Sequence, residues 1–530
     1  MKKIIYGLTV ILALFAVISL FGISQLFSPD RHGFDKNTFA LQSIAKVANS
    51  NNNVKAERPN LVIILADDLG FADIGINGSK AIKTPHIDEL ANQGVNFVNG
   101  YSSAPICTPS RAGLLTGRYP ARSGLVQPMG AVNDSFLRKV SRQAMTFGSN
   151  LGAIDNMGGP NLTKFLPLDE YTIAEFLKDQ GYATAAFGKW HLGDFSVKPE
   201  YHPKHYGFEK FVGFNMSNDD WPVAFFQDEE KVIEDIGIEQ SHYTKLFTDE
   251  AISFIEQNNN KPFFVFLSQK DPHQPFFPSE QFKGTSEGGP YGDAVSEFDW
   301  NVGRVIDTLK KLDLADNTLV LVTSDNGPWY QGSAGELRGR KGQSYEGGFR
   351  VPTIFWGSQL IKQAKVETTP MMQIDILPTM ADILDVQLPT NRVIDGQSLR
   401  SVLTGEEHKL NQRPLYFFHD YDIEAVRVGN WKYIGENSHY VWPVPLDKPD
   451  SKVGSALSMM NYSPPNSDEV IATLGDWPAL YNLELDPGEA YNVAKRYPEK
   501  VKELKNLKQE FSNSVSSNPR GLLSRGGTNE

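Results

Sequence analysis

Residues 59–70 read Pro59-Asn60-Leu61-Val62-Ile63-Ile64-Leu65-Ala66-Asp67-Asp68-Leu69-Gly70. The unbroken apolar run from Leu61 to Ala66 shows no alternation, which predicts a strand buried on both faces. It stops at two adjacent carboxylates and a glycine. Carboxylates at the end of a buried strand are costly to desolvate unless something cationic meets them. A lone Asp-Asp pair also reads as a helix cap or a solvated turn.

The same pattern recurs outward from this stretch. Tyr182 to Phe187 leads into Gly188-Lys189-Trp190-His191-Leu192-Gly193. Pro262 to Ser268 leads into Lys270-Asp271-Pro272-His273-Gln274-Pro275, and Thr318 to Thr323 into Ser324-Asp325-Asn326-Gly327. Helical patterns separate them: one beginning at Thr84, Asp169 to Lys178 stopped by Gly181, Tyr243 to Glu256, and Tyr291 to Leu312. Buried strands alternating with helices predict an α/β fold with a large, mostly parallel sheet flanked by helices. In such sheets the carboxyl ends of the strands line the ligand crevice. Asp67, Asp68, Lys189, His191, His273, Asp325 and Asn326 are therefore expected along one edge. Taken singly, each has a plainer account, such as a surface lysine beside a packed Trp and His. Residues 126–163 have no clear period and read as a long loop lining or covering the site. Residues 202–208 and 211–220 read as irregular, polar and aromatic; residues 332–348 form a Gly-rich loop with Arg338, Arg340 and Lys341.

Between the first two strands lies Tyr101 to Pro120, YSSAPICTPSRAGLLTGRYP, with the only cysteine of the chain, Cys107. Pro109 suits a first helical position and Gly117 a helix end. Cys107 would then sit at the positive end of a short helix, where a thiol is acidified. Arg111, one turn on, adds a permanent charge able to bind an oxyanion. A lone cysteine more often reads as a small buried hydrophobe.

The 530 residues suffice for one large domain with an accessory subdomain. A formal charge of −12 argues against nucleic-acid binding, so an anionic substrate must be attracted by local cations or a metal. One cysteine excludes an intrachain disulfide. Residues 1–27 carry Lys2-Lys3 and then a long apolar run, which reads as a signal peptide. Residues 4–27 are also long enough for an uncleaved membrane anchor, because about 20 apolar residues span a bilayer. Either way the body is expected to be exported, periplasmic or secreted. Residues 28–58 read as a polar linker and 59–411 as the main domain. Residues 412–513 read as a smaller α+β subdomain, with Tyr416–His419 and Ala425–Ile434 in an antiparallel sheet turned at Gly429-Asn430. Residues 514–530 read as a flexible tail.

Cys-Thr-Pro-Ser-Arg, with Leu-Thr-Gly-Arg downstream, resembles the C-x-P-S-R signature of type I sulfatases. Ala-Asp-Asp-Leu-Gly, Gly-Lys-Trp-His-Leu-Gly, Ser-Asp-Asn-Gly, Lys-Gly-Gln-Ser-Tyr-Glu-Gly-Gly-Phe-Arg and Asp-Pro-Gly-Glu extend the resemblance over about residues 59–500. The chain is similar to the arylsulfatase A and N-acetylgalactosamine-6-sulfatase branch. That resemblance implies an alkaline-phosphatase-like sheet and hydrolysis of sulfate esters, with a sulfated small molecule or glycan as substrate. It implies conversion of Cys107 to 3-oxoalanine (formylglycine) by a maturation enzyme. It implies one Ca²⁺ held by Asp67, Asp68, Asp325, Asn326 and residue 107, an oxygen-rich set suited to a hard cation. Arg111, Lys189 and Lys341 would neutralise the sulfuryl oxygens. His273, with Lys341, would assist departure of the alcohol, and His191 would take the proton that lets sulfate leave residue 107. Lys189, His273, Lys341 and Ser217 would contact substrate. Two other readings share the fold or the motifs. A phosphodiesterase or phosphonate monoester hydrolase tends to carry His where Asn326 stands. A non-catalytic sulfated-glycan binder would have lost catalysis or would never have its cysteine converted; every expected functional group is present, so the sequence offers no support for lost catalysis. Trp190, Trp221, Trp329 and Tyr330 are candidates either for stacking on sugar faces or for ordinary packing.

Overall fold

The computed structural model describes residues 58–129, 165–220, 222–406, 410–435 and 477–523. The N-terminal apolar segment, nearly all of the linker, Trp221 and most of the 126–163 loop lie outside the described residues. Among the described residues no helix is long and apolar enough to cross a membrane.

The strands, in chain order, are β1 (Asn60–Ala66), β2 (Val95–Phe97), β3 (Gly100–Tyr101), β4 (Ala183–Lys189), β5 (Lys210–Phe214), β6 (Phe225–Gln227), β7 (Glu230–Ile233), β8 (Phe263–Ser268), β9 (Thr318–Ser324), β10 (Thr353–Trp356), β11 (Lys365–Glu367), β12 (Met371–Met372), β13 (Leu415–His419), β14 (Asp422–Val428), β15 (Trp431–Ile434) and β16 (Ala479–Asn482). A ten-stranded sheet runs β11-β2-β10-β9-β1-β8-β4-β5-β6-β7. Its centre, from β9 to β5, is parallel throughout, while β10, β6 and β7 run antiparallel to their neighbours. Leu61, Ile63 and Leu65 face a core shared with the helices Cys107–Thr116, Ile173–Asp179 and Ile376–Ile383. Val62, Ile64 and Ala66 face the helices Pro85–Gln93, Tyr243–Gln257 and Gly289–Lys311. Apolar packing on both faces is why β1 shows no alternation in sequence.

The register matters for function. Ala66 pairs with Ser324, Leu65 with Ser268, and Gly188 with Ser268. The residues that follow β1, β4, β8 and β9 therefore emerge at one level. Gly188 makes this possible: a Cβ there would stand 1.8 Å from the Ser268 carbonyl, and its φ of +106° lies in the left-handed region.

Several boundaries differ from the sequence reading. Lys210–Phe214, read as irregular from Phe211 on, is the strand β5 paired with β4, because Phe211 fills the core with Phe195 and Trp190 while Phe214 packs on the opposite face against Tyr243 and Phe247. The helix expected from Asp169 starts at Ile173, where Thr172 and Glu175 form a capping box. The helix expected to open at Pro109 opens at Cys107, two residues earlier, and ends at Gly117 in the left-handed conformation.

A second sheet, β13-β14-β15-β16, is antiparallel, with β14 and β15 turning at Gly429-Asn430. Tyr101, Tyr119 and Phe349 of the large domain share one core with Phe417, Phe418 and Tyr433 of this sheet. The last helix runs from Pro498 to Ser517, past the expected end of the subdomain at residue 513. The segment after it is not a loose tail as far as residue 523. Arg520 pairs with Asp169 at 2.7 Å and Glu170 at 3.0 Å, and its carbonyl accepts from Arg118.

Candidate active site

Asp67 and Asp68 leave the end of β1 in a tight turn, with Asp68 at φ 65°. Aspartate tolerates this left-handed conformation better than most residues. Asp68 N donates to Asp325 Oδ1 at 3.2 Å, so the end of β9 holds the turn. Cys107, first residue of its helix and buried, lies with Sγ 3.5 Å from Asp67 Oδ1 and 3.9 Å from Asp68 Oδ1.

Three permanent cations meet the three carboxylates. Lys189, from the end of β4, places Nζ 2.5 Å from Asp67 Oδ2. Lys341, from the Gly-rich loop, places Nζ 2.6 Å from Asp68 Oδ1 and 2.8 Å from Oδ2. Arg111 Nη2 is 2.8 Å from Asp325 Oδ2 and 3.4 Å from Asp67 Oδ2. Its Nη1 donates to the Lys189 carbonyl at 2.9 Å and to Ser268 Oγ at 2.5 Å. Arg111, expected as an oxyanion binder, is here a fully buried clamp across the ends of β1, β4, β8 and β9. Burial works against the Asp67 charge, but Lys189, His273, Arg111 and Lys341 outweigh it and hold its carboxyl well below the usual range. Asp325 lies under the opposite balance: burial and neighbouring Asp67 push it up to about 6.

The expected acidification of Cys107 is reversed. Burial, the largest influence, pushes the thiol well above its ordinary range, and Asp325 and Asp67 add to it against Lys341 and Lys189. Desolvation outweighs the helix terminus because the sulfur is buried and carboxylates adjoin it.

Both histidines have their tautomers set by carbonyl oxygens, which only accept. His273 donates from Nδ1 to the Gln274 carbonyl at 2.7 Å, leaving Nε2 facing Asp68 Oδ2 at 3.7 Å. His191 donates from Nε2 to the Met129 carbonyl at 2.9 Å, and its buried Nδ1 has no partner among the described residues. Burial and then Lys189 press the His191 pKa well below its ordinary value, so the ring is neutral and Nδ1 carries a lone pair.

A metal fits the donor set. One atom each of Asp67, Asp68, Cys107 and His273 lies within 4.8 Å of the others. Asn326 donates from Nδ2 to Asp68 Oδ1 at 2.7 Å, while its buried Oδ1 has no partner among the described residues. An orphaned amide oxygen beside two carboxylates suits a hard cation. Sulfur is the one soft donor in this set. His273 is in the close group, whereas Asp325, an expected ligand, is turned to Arg111 and the Asp68 amide.

Ser217 donates its hydroxyl to Asp219 at 2.7 Å. Asp219, pushed up by burial but held down more strongly by His273, Lys189, Ser217 and Lys341, belongs to this charge cluster. Asp220 Oδ2 stands 3.9 Å from His191 Nε2. Both acids were missed in the sequence; the signal was Asn218-Asp219-Asp220 beside Ser217. Trp190 is 1% exposed and packs against Tyr206 and Phe208, so it offers no stacking face. Trp329 and Tyr330 are half-buried, with Lys341 Nζ 6.0 Å from the Trp329 ring centroid.

A buried cluster of carboxylates, cations and two oriented histidines at the carboxyl edge of a parallel sheet defines a hydrolase for an anionic ester. The sulfatase family model matches residues 59–386, and that for the C-terminal region of aryl-sulfatase matches residues 410–526. The chain belongs to the sulfatase family and is a sulfuric ester hydrolase. Among its relatives, human (Homo sapiens) steryl-sulfatase is 30% identical, covering 82% of this chain and 84% of the relative. Arylsulfatase A of Bos taurus is 33% identical, covering 88% and 90%. N-acetylgalactosamine-6-sulfatase of Mus musculus is 31% identical, covering 82% of each. A solved Bacteroides thetaiotaomicron structure, described under metabolism of multiple glycosaminoglycans, superposes with a TM-score of 0.69 at 27% identity, covering 86% and 100%. A Pseudoalteromonas sulfatase gives 0.68 at 26%, covering 87% and 91%.

Proposed function

We propose that the chain hydrolyses sulfate esters of a carbohydrate, using a formylglycine made from Cys107 and one Ca²⁺. The observation that carries this reading is the position of Cys107: a buried helix start, 3.5 Å from Asp67 Oδ1, in a close group with Asp67, Asp68 and His273. Replacing sulfur by an oxygen-bearing side chain would remove the one soft donor of the set. Asp67, Asp68, Asn326 and residue 107 would hold the cation, with Asp325 fixing the turn that carries Asp68. When bound, Ca²⁺ supplies charge for polarising a sulfuryl oxygen.

The chain's own groups then have distinct tasks. The carboxylates Asp67, Asp68 and Asp325 are matched one for one by Arg111, Lys189 and Lys341, and a divalent ion would offset the further charges of Asp219 and Asp220, so the pocket does not repel a sulfate group. Lys189 and Lys341 are the cations placed to neutralise its oxygens. His273 serves the departing alcohol through Nε2. His191, neutral and with Nδ1 unpartnered among the described residues, takes the proton needed for sulfate to leave. The sugar assignment is supported by relatives whose names or titles specify N-acetylgalactosamine-6-sulfatase, glycosaminoglycan metabolism, and a complex with a neocarrahexaose. Export of the body through residues 1–27 and conversion of the cysteine by a maturation enzyme belong to the same reading.

Peptide mass spectrometry of the native protein tests it. The peptide containing residue 107 should carry the aldehyde mass, and Cys107→Ala should fold while losing turnover. A free thiol in fully active enzyme would sink the mechanism.

A further inference from the structure

The Asp-Pro-Gly-Glu motif, residues 486–489, lies in the C-terminal subdomain and takes no part in the chemistry above. Its glutamate reaches back into the large domain. Glu489 Oε2 accepts from Glu346 N at 2.6 Å, and the Glu489 carbonyl accepts from Arg338 Nη1 at 3.1 Å. Arg338 O in turn accepts from Gly347 N at 2.7 Å. Lys432, from β15, stands 3.0 Å from Glu346 Oε1 and 3.0 Å from Glu489 Oε1. Tyr101, just upstream of Cys107, donates to Glu346 Oε2 at 2.6 Å. Glu346, Lys432 and Glu489 are all 0% exposed.

These bonds close the two ends of one loop, residues 338–347. Lys341 lies within it, and the loop is clipped at its middle as well. Lys341 N donates to Pro328 O at 3.0 Å, and Gly342 N to Pro105 O at 2.8 Å. Gly327, next to Asn326, donates to Gly348 O at 2.9 Å. The loop therefore spans the segments that carry Cys107 and Asn326, and the subdomain holds its ends.

We propose that Glu489 is a positioning residue: through Glu346, Arg338 and Lys432 it sets the place of the Lys341 ammonium over Asp68. The statement rests on the reading that Lys341 acts on the substrate. A buried ion network is weak evidence for stability, because desolvation offsets the attraction, but its fixed geometry registers one element against another. The C-terminal subdomain is thus part of the catalytic apparatus without touching substrate.

The test is a double-mutant cycle on the full-length, matured enzyme, read as kcat/KM on 4-nitrophenyl sulfate and phenyl sulfate. Glu489→Ala should lower kcat/KM about tenfold on 4-nitrophenyl sulfate, a plausible cost of a small misplacement. It should lower it further on phenyl sulfate, the poorer leaving group, as Lys341→Ala does. In the Lys341→Ala background the same change should cost less than about twofold, because the group it positions is gone. Glu489→Gln, which keeps an acceptor for Glu346 N, should recover part of the loss. Equal losses in both backgrounds, or an unchanged dependence on the leaving group, would overturn the proposal. If Glu489→Ala does not fold, Arg338→Leu replaces it, breaking the same loop end without burying an unpaired charge. Full activity in Lys341→Ala alone would instead sink the assignment of Lys341, a separate failure.

Discussion

His191 and His273 are chemically the same residue made unlike by one hydrogen bond each. The Met129 carbonyl takes the Nε2 proton of His191, and the Gln274 carbonyl takes the Nδ1 proton of His273. Each ring is left with its other nitrogen for the chemistry: Nδ1 of His191 to take a proton, and Nε2 of His273 to bring one to the departing alcohol. The roles therefore separate in time. His191→Ala should release about one equivalent of alcohol per active site in a burst while sulfate release lags, seen by rapid quench with both products counted. His273→Ala should abolish the burst and slow the alcohol step, more for phenyl sulfate than for 4-nitrophenyl sulfate, whose alcohol leaves without a proton. A burst in the His273 variant alone would reverse the assignments. The tautomers were not legible in sequence, because they depend on carbonyls 62 residues away for His191 and one residue away for His273. The presence of two histidines at strand ends was.

Elements place these residues. The register of β1, β4, β8 and β9 levels their ends, and Arg111 from the buried helix Cys107–Thr116 ties the four ends together. On the opposite face, Asp299 of the helix Gly289–Lys311 caps the helix Pro85–Gln93 by accepting from Ile87 N at 2.8 Å and His86 N at 3.3 Å. Burial pushes its pKa up to about 7, against those two amides and with Asp88 adding to it. The folded protein thus keeps a proton that the unfolded chain releases near its ordinary value of 3.8. Between those pH values the native state binds more protons, so this group's contribution to stability falls as pH rises from about 4 to about 7. Asp299→Asn should flatten that part of the curve, measured as the difference in Tm between variant and wild type at intervals across the window. An unchanged pH profile would show that Asp299 does not carry the burden.

At the scale of the whole molecule, two sheets share one site. The ten-stranded sheet brings the carboxylates to one edge, and the smaller sheet, through Lys432 and Glu489, holds the loop with Lys341. A divalent ion would join β1, β9 and the Cys107 helix further. Metal removal should therefore lower both activity and Tm, and Ca²⁺ should restore both. A cation at a hundred times its dissociation constant stabilises by about 2.7 kcal/mol, which predicts a shift of a few degrees. Calorimetry in chelator, with and without added Ca²⁺, measures it. An unchanged Tm with full activity in metal-stripped protein would remove the cation from the mechanism.

Much of this was written in short range. The continuous apolar runs ending in Asp67-Asp68, Lys189, His273 and Asp325-Asn326 predicted the parallel sheet, its functional edge and most of the residues on it. Local sequence determines these things because strand burial and strand termination are local properties of hydrophobic pattern. The tertiary structure alone decided how each group is used. Arg111 became a clamp, because its guanidinium is buried among Asp67, Asp325 and two strand ends. Cys107 became a weaker acid, because desolvation outweighed its helix terminus. Asp219 and Asp220 entered the charge cluster, and Glu489 reached Glu346 across 143 residues. Electrostatics depends on distance in space and on exclusion of water, and neither can be read along the chain.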